Sequence, residues 1–154
     1  MSCLIKPPTD YFVEEFTNSI HGISYDDVKN EKDFEEVWKN KVIPFLEKDS
    51  ELPLVAHNAC FDMEVIRQCC NSYDIQYPKY KYFDSLLISR KIWPNFATHK
   101  LTDLGKQFNI TYKAHDALED SRTCGAVILK AAEKCNKENI PDLLECLGMK
   151  LCKI

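Results

Sequence analysis

The chain has 154 residues, about one ordinary domain and enough to bury a core. Hydrophobic residues make up 45% and charged residues 29%, a globular balance that excludes a disordered or fibrous chain. With 20 Lys+Arg against 24 Asp+Glu the net charge is −4, which excludes a broad basic coat for nucleic acid but leaves room for a local basic groove.

No apolar run approaches the roughly 20 residues that span a bilayer. The opening segment from Met1 to Pro8 turns polar too soon for a signal peptide. A cytoplasmic protein without membrane contact is expected. Eight cysteines raise the question of a disulfide scaffold. Cys60, Cys69 and Cys70 fall in one apparent helix, Cys124 and Cys135 in another, and there is no Cys-x-x-Cys pair. Reduced, mostly buried thiols are therefore expected. His57 and Cys60 have the spacing of a zinc half-site, but no second ligand pair accompanies them.

In chain order, Ser2 to Ile5 reads as the end of a strand stopped by Pro7-Pro8, Asp10 to Phe16 as a helical turn or two, and Ile20 to Ser24 as a loop. A helix is predicted over about Asp33 to Glu47, with Phe34, Val37, Trp38, Val42, Phe45 and Leu46 on one stripe. Pro44 predicts a kink or early stop in it. Leu52 to Ala56 reads as a short buried strand. Asn58 then caps a helix from about Ala59 to Tyr73. Lys79 to Phe83 is the next strand, and Asp84 or Ser85 starts a helix to about Trp93. Thr98 caps another helix carrying Leu101, Leu104 and Phe108. The last long helix begins near Asp116, with a stripe of mostly small residues running from Ala117 to Cys135. Pro141 opens a short C-terminal helix. This alternation predicts an α/β fold in one domain spanning 1–154.

Two clusters carry chemistry. His57-Asn58-Ala59-Cys60-Phe61-Asp62 follows the predicted buried strand, and His115-Asp116-Ala117-Leu118-Glu119-Asp120 opens the long helix. In both, ionisable residues stand where a loop enters a helix, a usual place for an α/β site. A helix N-terminus favours the ionised form of Asp62 and Asp120. Facing one another, they would need a cation between them, and hard oxygen ligands suit Mg²⁺ or Mn²⁺. Equally, both are what plain helix-start acids on a solvated surface look like. His115 has the chemistry of a general base, or of a capping residue. His57 is a ligand, a base or a structural hydrogen-bonding group, and Phe61 is most simply a core residue. Asn58 could touch a terminal nucleotide, and Lys100 and Lys113 could meet phosphates or simply be solvated.

The His-Asn-x-x-Phe-Asp run at 57–62 and the His-x-Ala-x-x-Asp run at 115–120 resemble the second and third motifs of the DEDDh 3′–5′ exonucleases. This is the family of the proofreading subunit of bacterial DNA polymerase III. The segments 16–23, 84–90 and 100–104 resemble the family's intervening parts. The match runs from about residue 3 to about 132, leaving 133–154 as a C-terminal helical extension. The resemblance implies a ribonuclease-H-like fold and two divalent ions, Mg²⁺ or Mn²⁺, held by four acids. It makes Asp62 and Asp120 metal ligands and His115 the general base. Asn58, Phe61 and His57 would lie against the substrate, a single-stranded DNA or RNA 3′ end. Two such ions about 4 Å apart stabilise the attacking and leaving oxygens of an in-line displacement.

One departure matters. The family's first motif is Asp-x-Glu on the central strand, and this chain carries no Asp-x-Glu on an apolar strand. The expectation is a domain lacking the family's first two strands and part of the third, with at most weak metal binding and impaired hydrolysis. Three explanations stay open: a piece of a longer reading frame, strands supplied by a second chain or a partner such as a polymerase, or a non-catalytic nucleic-acid-binding module on the same fold.

Overall fold

A computed structural model describes residues 2–8, 14–111, 113 and 115–154. Of the helical turn or two predicted over Asp10 to Phe16, residues 10–13 lie outside the described residues, and Glu14 to Phe16 are helical. The chain divides into two compact units, Met1–Glu51 with Cys69–Gln76, and Leu52–Gln68 with Tyr77–Ile154.

The first unit is helical. α1 (Glu14–His21) and α2 (Tyr25–Val28) are followed by α3 (Phe34–Val37) and α4 (Ile43–Leu46). Between α3 and α4 runs a π turn, Trp38–Val42, in which the Ile43 amide donates to the Trp38 carbonyl. Pro44 has no N–H to continue the α ladder, so the helix widens by one residue just before it. The kink predicted at Pro44 therefore takes the form of a π turn. Phe34 stacks on Trp38 at 5.2 Å and tilts against Tyr73 at 5.8 Å. Val37 and Trp38 are buried, whereas Phe45, predicted on the same stripe, is 51% exposed. The shifted register of the π turn carries Phe45 off the apolar face. Residues 2–8 form no strand, contrary to expectation, and α1 extends through Ile20 and His21 where a loop was predicted.

The second unit holds a three-stranded sheet in the order β1 (Leu54–Ala56), β2 (Lys81–Asp84), β3 (Cys152–Lys153). β1 and β2 are parallel and β3 is antiparallel to β2. α5 (Ala59–Ser72) follows β1 and α6 (Ser85–Ile92) follows β2. α7 (Leu101–Gln107), α8 (Ala117–Lys134) and α9 (Ile140–Cys146) complete it. One core gathers Phe83, Ile88, Ile128, Ala131, Leu143 and Leu144, and a smaller one Ala59, Met63 and Tyr82. Each fully buried large aliphatic side chain there contributes about 2–3 kcal/mol. Residues 140–154 thus supply a helix to the main core and a strand to the sheet. β3 has no counterpart in the sequence reading, because two residues carry too little periodicity to register.

Burial corrects two further expectations. Leu54, Val55 and Ala56 are only half-buried. Of the eight cysteines, all free, Cys70 and Cys124 are buried while Cys60, Cys146 and Cys152 are exposed. No described helix is long and apolar enough to cross a membrane.

Candidate functional site

Because β1 and β2 run parallel, with Ala56 opposite Asp84, their C-terminal ends open at the same edge. Each strand there turns into a helix, and the side chains of those two turns are joined. The Asp84 carboxylate is buried and accepts from three backbone amides. Leu86 N–H donates to it at 2.8 Å, and Asn58 and Ala59 N–H at 3.1 Å each. Asp84 thus caps its own helix α6 and, across the sheet, the start of α5. The cap predicted for Asn58 is corrected accordingly. Asn58 has φ 68°, in the left-handed region, and its role is to aim the α5 amides at Asp84.

Ser85 and His57 form the second joint. His57 Nε2 lies 2.8 Å from the His99 carbonyl, which can only accept, so Nε2 carries the proton. Nδ1 lies 2.9 Å from Ser85 Oγ. That hydroxyl is also 3.2 Å from the Ala56 carbonyl and accepts from Cys124 Sγ at 3.2 Å. His99 is held in turn, with Nδ1 3.1 Å from Ser89 Oγ. The two ring nitrogens of His57 therefore tie the 57–58 turn to the start of α6 through Ser85 and to the loop before α7 through His99. Burial lowers the pKa of His57, although the His99 carbonyl and Asp84 oppose the shift.

The folded imidazole refuses a proton that the unfolded one takes up near 6.5. The stabilisation is therefore present above the unfolded value and lost as pH falls through it and on through the lower folded value. The melting temperature is expected to fall from neutral to mildly acidic pH more steeply in the wild type than in His57→Gln. Parallel curves for the two proteins would show that His57 does not couple to folding.

Asp62 stands in the first turn of α5. Partial burial, joined by the charge of Asp84, holds its carboxyl above the usual range, although the residue remains solvent-exposed. Cys124, on the buried face of α8, is pushed up by burial and feels the charges of Asp84 and Asp62. Asp120 is half-buried one turn before Cys124, on the same side of that helix. Asp116 caps α8, accepting from Leu118 N–H at 3.1 Å and Glu119 N–H at 3.2 Å. His115 is exposed with φ 67°. For a non-glycine residue this backbone is uncommon and stores strain that neighbouring structure must hold. Lys113 is exposed.

Phe61 is corrected from core to surface, being 68% exposed. The inward face of α5 is Ala59, Met63 and Ile66, and two residues of helix rotate Phe61 away from Ala59 by about 200°. The residue missed by the sequence reading is Asp84 as a clamp on α5. Its signal was an aspartate ending one strand one helix downstream, which says nothing of the chain it reaches across to.

Asp-x-Glu triplets exist at 33–35, 49–51 and 62–64, but they sit in helical or turn segments, none on a strand. Among the described residues no three His, Cys, Asp or Glu side chains come together as a ligand set for a metal ion. The half-site spacing of His57 and Cys60 is thus not completed among them.

A family described as Exonuclease (RNase_T) matches residues 1–128. The chain is 30% identical over 133 residues to the 3′-5′ exonuclease DinG of Bacillus subtilis, covering 86% of this chain and 13% of that protein. It is 30% identical over 130 residues to a PolC-type DNA polymerase III of Streptococcus pneumoniae, covering 83% of this chain and 9% of that one. It therefore spans a small fraction of either relative. Among solved structures, the nuclease domain of 3′hExo, a DEDDh family member bound to rAMP, superposes with a TM-score of 0.74 at 18% identity. That match covers 97% of this chain and 74% of the other. Exonuclease X in complex with 5′ overhanging duplex DNA gives 0.68 at 19% identity, covering 96% and 81%.

Proposed function

This chain belongs to the exonuclease family, with the α/β fold of ribonuclease-H-like exonuclease domains, and from that premise we propose that it acts at the 3′ end of single-stranded DNA or RNA. The reading treats 1–154 as one exonuclease-like domain. The observation that carries it is the exonuclease-family match over residues 1–128, together with Asp62 and Asp120 each standing in the first turn of its helix.

In this reading His115 takes the proton from an attacking water. The water oxygen bonds to phosphorus, the P–O3′ bond breaks, and the departing 3′ oxygen is protonated from solvent. Asn58 touches the terminal nucleotide. Exposed Phe61 offers an aromatic face to its base, worth about 1–3 kcal/mol as a stacking contact. His57 acts through the turn that presents Asn58. Asp62, its carboxylate disfavoured by partial burial and by Asp84, gains from a cation, and Asp62 with Asp120 would hold Mg²⁺ or Mn²⁺. The family's pair of ions does not fit. Two aspartates offer too few oxygens, and no third ligand joins a set among the described residues. The hydrolysis proposed for this chain is correspondingly impaired.

The same shortage of ligands favours a second reading, a non-catalytic nucleic-acid-binding module. PolC-type relatives are polymerases by name. A polymerase, or a second chain adding a strand to β1 (which among the described residues pairs only with β2), is the partner class we propose. The test is release of labelled 3′-terminal nucleotides in Mn²⁺ by the wild type and by Asp120→Asn. Slow release abolished in the variant supports hydrolysis at this site. Release that survives the change overturns the site. Retained oligonucleotide binding without release leaves the binding module.

A further inference from the structure

Beside the 57–58 turn lies an open cavity of about 700 Å³, walled by Asn58, Leu86, Arg90, Thr98 and Lys100 among others. None of its nine lining residues is acidic, on a chain whose net charge is −4. Many basic side chains of this protein are neutralised within a helical turn, as in Lys39 with Glu35, Arg122 with Glu119 and Lys130 with Glu133. Arg90 and Lys100, like several other basic residues, are not paired with a carboxylate among the described residues; what sets them apart is their shared cavity. They come from separate elements, the last turn of α6 and the residue before α7, yet face one cavity. Arg90 is close enough to His57 for its charge to be felt there. Two unneutralised cations converging on a concave, acid-free surface make an anion site, and the planar guanidinium suits a phosphate oxygen pair.

We propose that this cavity binds an internal backbone phosphate of the nucleic-acid strand, separate from the phosphate at the Asp62–Asp120 edge. The proposal rests on the nucleic-acid reading above and deepens it. The Asn58 turn is shared by the two places, so a strand whose terminal nucleotide meets Asn58 carries its next phosphates past Arg90 and Lys100. Thr98 adds a hydroxyl at the cavity wall. The contact is to phosphodiester, so it serves DNA and RNA alike.

The experiment measures binding of a labelled oligothymidylate and an oligouridylate by anisotropy, in EDTA, across a salt series. It compares the wild type, the double variant Arg90→Gln/Lys100→Gln, and Lys150→Gln as an exposed lysine outside the cavity, each verified as folded by circular dichroism. The double variant is expected to bind about tenfold more weakly at low salt. Its logarithmic salt slope should fall by about 0.7, the contribution of one single-strand phosphate contact. Lys150→Gln should leave both unchanged. Unchanged affinity and slope in the double variant overturns the cavity while the exonuclease reading stands. So does an equal loss in Lys150→Gln, which marks a general charge effect. A wild type that binds neither oligonucleotide overturns the cavity and the nucleic-acid reading together.

Discussion

Asp84→Ala is expected to cost about 4 kcal/mol of folding free energy, read as a lowered urea midpoint with unchanged slope. One carboxylate satisfies the amides of Asn58, Ala59 and Leu86, and its own residue is only 8% exposed. Hydrogen bonds to a charged acceptor are worth about 1.5–3 kcal/mol each, and an amide left buried without a partner carries its full desolvation penalty. Ala59 is fully buried, so water cannot replace the lost acceptor there; Asn58 is exposed, so it can. The Leu86 bond among the three is the α6 cap, worth about 1 kcal/mol of the total. Against a typical total of about 5–15 kcal/mol this is a large share. Asp84→Asn, which keeps one acceptor oxygen, should fall between. A loss below about 1 kcal/mol for Asp84→Ala would mean that the two turns are held together by something else.

His115→Ala is expected to lower the rate of 3′-nucleotide release by about 10²–10⁴-fold while leaving oligonucleotide affinity in EDTA within about twofold. Binding does not need a base, whereas hydrolysis does. The backbone complicates the choice of variant. At φ 67° an alanine pays for the left-handed conformation, about 1–2 kcal/mol. Asn tolerates that region, so His115→Asn removes the imidazole with less disturbance of the turn. If the two variants lose activity equally, the lost imidazole is the cause. If only His115→Ala does, the effect is conformational and the assignment of His115 as base is wrong. Activity equal to wild type in both would also reject it.

How much of this was legible in the sequence depends on the range of the interaction. α5, α6 and α8 were readable because their signals are local, with apolar periodicity and, for α6 and α8, an aspartate at the cap. The α/β class followed from strand and helix alternation. Interactions across the fold were not readable. Nothing near Asp84 in sequence announces that it binds amides about 25 residues upstream, and the His57–Ser85–Cys124 chain joins three separate elements. Phe61 was misplaced because its type outweighed its phase on α5. The segment Ser2 to Ile5 has strand-forming composition, but composition supplies no partner to pair with. Arg90 went unnoticed beside Lys100 because only the fold brings α6 and the residue before α7 to one cavity.

The left-handed backbones at Asn58 and His115 have a consequence for how variation at this edge can be detected. Glycine at either position would relieve the strain of a side chain there, yet would widen the unfolded ensemble by a comparable free energy. The two effects nearly cancel, so thermal screens are blind to glycine at both positions. Selection for heat resistance therefore has no hold on glycine at these two turns, and an assay that reports on a bound or cleaved strand is what registers that substitution.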